Sequence, residues 1–172
     1  MLPLIPALLA LTWSIVVPAL KYDAPKDWLS KPPSSSMRVA EFTLPKADGD
    51  SEDAALTIYF FGAGQGGNVQ ANIDRWIGQM TQPDGTPSAA AAKTTKLSAS
   101  GINITLVDVS GTYVAEVSPG STERFNKPGF RQRAAVIETS EGPYFVKLVG
   151  PAKTVSRWDE SFITFLKSVK IG

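Results

Sequence analysis

Residues 62–67 read Gly-Ala-Gly-Gln-Gly-Gly, so Gly62, Gly64 and Gly67 fall at the G-x-G-x-x-G spacing of a phosphate-cradling turn. The chemistry behind that spacing is physical. Residues without a Cβ let the backbone approach a pyrophosphate, and a following helix N-terminus favours an anion. The rest of a dinucleotide unit is missing. Such a unit needs a second parallel strand ending in an acidic residue about 20 positions on. Here that region is TQPDGTPSAAAA, residues 81–92, with Asp84 in a turn, and the next clear strand ends near Asp108. A phosphate loop of the other kind needs Lys and then Ser or Thr after its last glycine, and this chain has Asn68-Val69. The loop therefore reads as a strand-to-helix turn. Its polar rim, Gln65, Asn68 and Arg75, is left as a candidate contact for a partner or a small anion.

Other chemistry has little to work with. The chain contains no histidine and no cysteine, which removes histidine bases, thiolates, disulfides and ordinary zinc sites. Neither S-x-x-K nor G-x-S-x-G occurs. Glu41, Asp108, Glu116 and Glu138 fall on separate predicted strands, and sequence does not pair them for glycoside chemistry. The acidic run Asp48, Asp50, Glu52, Asp53 lacks the sixth-position glycine and the late bidentate Glu of a calcium loop, so it reads as a solvated turn. Arg124, Lys127, Arg131 and Arg133, interleaved with Phe125 and Phe130, suit an acidic partner or lipid head groups. With the chain nearly neutral as a whole, they better suit a soluble loop feeding a strand whose aromatics enter the core. Arg124 and Lys127 join the partner-binding candidates. No catalytic residue, metal ligand or cofactor is assigned.

The elements that position these residues follow from periodicity. Leu20–Tyr22 reads as a short strand, and SKPPSSS, residues 30–36, as a loop. MRVAEFTLP alternates and stops at Pro45, and ALTIYFF, residues 55–61, suits a central strand. Val69, Ile73, Trp76, Ile77 and Met80 share one face of a helix over 69–80, with Asn68 as its N-cap. Residues 93–98 and 102–109 read as strands, with Ser110-Gly111 as a tight turn into TYVAEV. FRQRAAVIET and PYFVKLV form a hairpin around Ser140-Glu141-Gly142. Trp158, Phe162, Phe165, Leu166 and Val169 form the apolar face of a terminal helix, with Thr154 or Ser156 as its cap. Short connections make successive strands antiparallel. The expected fold class is α+β: a mostly antiparallel sheet flanked by two amphipathic helices, in one domain over residues 20–172.

The chain has 172 residues and a formal net charge of +1, which gives no electrostatic case for nucleic acid. MLPLIPALLALTWSIVVPAL carries no charge before Lys21. Residues 1–19 read as a signal peptide or an N-terminal anchor, with membrane contact only through this segment if it is uncleaved. The expected location is therefore outside the cytoplasm, in the periplasm or cell envelope.

An early Trp28, the FTLP strand (42–45), a helix after the second main strand, YFVKLVGP (144–151) and FITFLKSVK (162–170) occur in the order seen in the PsbP-like superfamily. The chain resembles that group, which includes exported lipoproteins and an extrinsic photosystem subunit. SMRVAEFTLP, FFGAGQGGNVQANIDRWIGQM, VDVSGTY and EGPYFVKLVGPAKTV also resemble an uncharacterised exported bacterial family. The resemblance implies an α/β/α sandwich that works by docking to proteins. It transfers no functional residue, and the chain lacks the lipid-accepting cysteine of the lipoprotein members. The expected function is a non-enzymatic binding or assembly module for a protein partner. The alternatives are a small-ligand or ion-binding domain and a hydrolase.

Overall fold

The structure is a computed structural model and describes residues 19–172. The expected signal or anchor segment lies outside the described residues except for Ala19. Among the described residues, no helix is long and apolar enough to cross a membrane.

The described residues form ten strands and four helices. Strand β1 (Leu20–Lys21) pairs with the last strand, β10 (Lys170–Ile171), as a separate ribbon. The main sheet holds β2 (Leu29–Lys31), β3 (Arg38–Leu44), β4 (Ala54–Phe60), β5 (Met80–Thr81), β6 (Lys93–Ala99), β7 (Ile102–Tyr113), β8 (Lys127–Thr139) and β9 (Gly142–Pro151). Its order is β2-β3-β4-β9-β8-β7, and β5 and β6 both pair with the far edge of β7. Every pairing is antiparallel. The four helices are α1 (Val69–Ile77), α2 (Ser88–Ala91), α3 (Ala152–Arg157) and α4 (Asp159–Lys167). The fold class is therefore α+β, with a mostly antiparallel sheet flanked by helices.

Alternation along β8 and β9 sends side chains into two different cores. Ala135, Ile137, Tyr144, Val146 and Leu148 meet Val155, Phe162, Phe165 and Leu166 under α3 and α4. Ala134, Val136 and Phe145 point the other way and meet Ile73 and Trp76 of α1. A third cluster, Met80, Val109, Tyr113, Ala115 and Phe130, continues this second face. Because successive residues of a strand face opposite sides, the central strands are buried on both faces.

Several boundaries differ from the sequence reading. Leu29–Lys31 is a strand because its backbone continues the sheet beside β3, so the loop is shorter than 30–36. The first helix stops at Ile77, where the Gly78 N–H closes the last turn, and Met80 enters β5 opposite Tyr113. A short helix, α2, forms inside the predicted loop 81–92. Ser110-Gly111 is no hairpin turn: β7 runs through it to Tyr113, with a register irregularity between Gly111 and Tyr113. The terminal helix is two helices that meet at Trp158. Neither Thr154 nor Ser156 caps it. Thr154 lies inside α3, where its N–H and hydroxyl both donate to Asp50 Oδ2, at 2.8 and 2.6 Å.

Gly111 has φ +153°, and a Cβ there would collide with the Thr81 carbonyl oxygen. That close approach is what lets β5 pair with the end of β7. Gly111→Ala is expected to destabilise the fold by about 1–3 kcal/mol in urea unfolding, because the blocking atom is backbone and cannot rotate away.

Candidate functional site

The glycine loop resolves as an internally filled turn. Asn68 caps α1, its Oδ1 accepting from the Ala71 N–H at 2.8 Å. Asn72, one turn on, is buried, and its Nδ2 donates to the Gly66 and Asn68 carbonyls at 2.8 and 2.9 Å. The loop thus turns two carbonyls inward onto an amide donor, where a phosphate cradle would present N–H groups. Gly66, at φ +87°, lies against the Phe145 ring, and a Cβ there would sit 2.6 Å from it. Arg75 Nη2 donates to Asn72 Oδ1 at 2.6 Å, so the arginine props the same amide from outside while staying exposed. Gln65 is exposed, and its N–H closes a turn onto the Gly62 carbonyl.

The other two sequence candidates lie elsewhere. Arg124 is 3.7 Å from Glu116 and donates to the Val114 carbonyl. Lys127 donates to Glu52 at 2.7 Å. Both cations are matched within the chain, and no hydrogen bond or ion pair of the described residues joins them to Gln65, Asn68 or Arg75. Arg131 and Arg133 of the same basic stretch face α4. Arg131 grips Asp108 with two hydrogen bonds, 2.8 and 2.6 Å, and reaches Asp159 at 3.0 Å. Arg133 meets Asp159 at 2.9 Å. Its Nε lies 3.2 Å from Asp108 Oδ2 without the alignment of a hydrogen bond. Two arginines and two aspartates therefore neutralise each other. A groove of about 470 Å³ runs beside this lattice, along Asp159, Glu160, Ile163 and Thr164. Arg133 and Asp159 on its lining are paired with each other, and Glu160 beside them is exposed without an ion pair among the described residues.

Lys147, which sequence reading passed over, is a half-buried cation on the other face of the sheet. It stands on β9 between Phe145 and Val149, on the α1 face, with Thr57 and Ala134 as cross-strand neighbours. Its Nζ donates to Gln79 Oε1 and to the Tyr113 hydroxyl, both at 2.7 Å, and lies 4.9 Å from the Tyr113 ring centroid. Neither partner is acidic, and no carboxylate of the described residues forms an ion pair with it. Burial pushes the amine down from its ordinary 10.5 to about 7, and the nearby charges of Arg75 and Arg38 push the same way. Burial, with a smaller effect from Tyr59, pushes the Tyr113 phenol up to about 12. On the adjoining strand, Gln132 is fully buried. Its Nε2 donates to the Trp76 carbonyl at 2.8 Å, and its Oε1 has no partner.

Beyond Lys147 the same face loses its cover. Pairing places Leu29, Thr43, Ala55 and Val149 in one row across β2, β3, β4 and β9. Leu29 is 55% exposed, Val39 44% and Phe61 36%. Tyr59 stacks on Phe61 at 6.0 Å, and the Arg38 guanidinium lies 5.6 Å above the Tyr59 ring. Arg38 is matched by Glu41 at 2.7 Å, and the same carboxylate accepts from Ser34.

No family model matches this chain, and no curated protein is significantly similar to it. Among solved structures, the chain is similar to PA94, a protein of unknown function from Pseudomonas aeruginosa. The two share 12% identity with a TM-score of 0.48, over 89% of this chain and 97% of that one. A likeness at that level carries no functional statement.

Two outcomes follow. Asn72→Ala removes two buried hydrogen bonds and is expected to cost about 1–3 kcal/mol in urea unfolding, whereas the exposed Gln65→Ala stays within about 0.5 kcal/mol. Lys147 sets a pH dependence. Between pH about 7 and about 10.5, the unfolded lysine holds a proton that the folded one has released. Stability therefore rises across that window, by at most about 1.4 kcal/mol per pH unit, and this group adds no further change below it. Tyr113 acts with the opposite sign, and its contribution is lost as pH rises from about 10 to about 12. Urea unfolding at pH 7, 8.5 and 10 should show the rise in the wild type and its loss in Lys147→Met.

Proposed function

We propose that this domain is a non-catalytic binding module, exported from the cytoplasm, which docks an acidic and apolar segment of a protein partner on the open end of the α1 face. One observation carries the reading. Helix α1 buries the β7-β8-β9 part of that face, while Leu29 is exposed on the uncovered β2-β3-β4 part, Phe61 is exposed just past the end of β4 and Val39 is exposed at the irregularity of β3. Exposed apolar side chains on a rigid sheet face are candidates for an interaction site. The charge around them is positive. Among the described residues Arg75 and Lys147 have no carboxylate partner, while Glu41 is already held by Arg38 and Ser34. Such a surface favours an acidic partner and disfavours a basic one.

Docking suits the site better than catalysis. The partners of Lys147 are a neutral amide and a phenol pushed up to about 12, which is a poor proton donor near neutral pH. The PsbP-like resemblance supports docking, and the apolar segment 1–19 supports export.

Selection from a displayed random-peptide library tests this with the 19–172 domain as bait, beside a Leu29→Asp, Val39→Asp double variant. Both positions are exposed, so the variant should unfold at nearly the wild-type denaturant concentration. Recovered peptides should be net acidic with an aromatic or aliphatic anchor, and the variant should bind them at least about tenfold more weakly. Peptides of net positive charge, or peptides that bind bait and variant alike, would overturn the reading.

A further inference from the structure

The groove beside α4 brings an arginine and a free carboxylate into one hollow of about 470 Å³. Its lining is Arg133 from β8 and Asp159, Glu160, Ile163 and Thr164 from α4. Arg133 is only 7% exposed and is held from several sides. Its Nη1 donates to Asp159 Oδ1 at 2.9 Å, its Nε lies 3.2 Å from Asp108 Oδ2, and its Cζ stands 5.1 Å from the Phe162 ring centroid. Its third nitrogen, Nη2, makes no hydrogen bond among the described residues. Asp159 is spent on both arginines, whereas Glu160 is exposed and unpaired among the described residues. Thr164 follows Glu160 by four residues and Ile163 follows Asp159 by four, so carboxylate, hydroxyl and aliphatic side chain share one wall.

We infer that this groove is a receptor site for a small zwitterion on an aliphatic body, the chemistry of a free amino acid. The lining decides between charges. A simple amine would answer Glu160 but would cover the Arg133 donor without supplying an acceptor. A simple carboxylate would answer Arg133 but would meet the repulsion of Glu160. A ligand with both groups answers both and lays its carbons on Ile163. The guanidinium is already fixed by Asp159, Asp108 and Phe162, so little side-chain freedom is lost when a carboxylate arrives. A volume of about 470 Å³ lies within the range of small-molecule sites. The groove shares no residue with the docking surface on the α1 face, so the inference stands if that surface docks nothing.

The probes are leucine and ε-aminocaproate, titrated into the full chain by calorimetry at pH 7 and low ionic strength. Each is compared with the amine and the acid that lack one of its charged groups: isoamylamine and isocaproate for leucine, pentylamine and hexanoate for ε-aminocaproate. Unfolding midpoints are recorded in parallel, since a ligand that binds only the folded state raises them. At least one zwitterion should bind and raise the midpoint, and its amine and its acid should each bind at least about tenfold more weakly. The tighter zwitterion reports how far apart the two charges sit. Removing Arg133 dismantles the lattice, so the exposed Glu160→Gln carries the mutational test. It should unfold at nearly the wild-type urea concentration, bind the zwitterion at least about tenfold more weakly, and lose the preference for zwitterion over acid while keeping that over amine. A wild type indifferent to both zwitterions at about 10 mM would overturn the assignment. So would an amine or acid that binds as tightly as its zwitterion, or a Glu160→Gln variant that binds like the wild type.

Discussion

The antiparallel pairing of β8 with β9 is the constraint on which the rest of the molecule depends. These two strands lie at the centre of the sheet, and their register holds from Phe130↔Pro151 to Thr139↔Gly142. One set of side chains must enter the core under α3 and α4, and the alternate set must enter the core under α1. A slip of one residue would exchange both sets and place Arg131, Arg133 and Lys147 in the wrong layers. The two cores are therefore specified together.

The two layers handle charge differently. Under α4, two arginines meet two aspartates, so burial costs are offset by close ion pairs. Desolvation lowers Arg133 despite the attraction of both aspartates, while the Asp108 hydrogen bonds raise Arg131 against its own burial. Under α1, Lys147 has an amide, a phenol and two further cations for company. A lattice that cancels its own charge serves stability, and an amine left unanswered is held at a cost.

What sequence shows depends on how local the cause is. Asn68 as a cap is legible because the bond it makes spans three residues. The hairpin at Ser140–Gly142 and the apolar face from Trp158 to Val169 are legible for the same reason. Gly111 misleads because a glycine in a turn and a glycine under a neighbouring strand look identical until Thr81 is known to lie above it. Thr154 misleads because its partner, Asp50, is more than a hundred residues away. Lys147 escapes notice because alternation puts it opposite Tyr144, Val146 and Leu148, where a solvent-facing lysine is the plain expectation. Only the packing across that face reveals that the lysine is half-buried. The glycine motif shows the reverse error, since its spacing suggests an anion and Asn72 turns its carbonyls inward.

Lys147 labelled with ¹³C or ¹⁵N can be titrated by NMR in the ligand-free domain at low ionic strength. A midpoint near 7 is the result expected of a half-buried amine with neutral partners and two cations nearby. A midpoint near 10.5, the ordinary value for lysine, would mean that the amine is solvated or answered by a carboxylate. It would remove the basis for docking an acidic partner on this face.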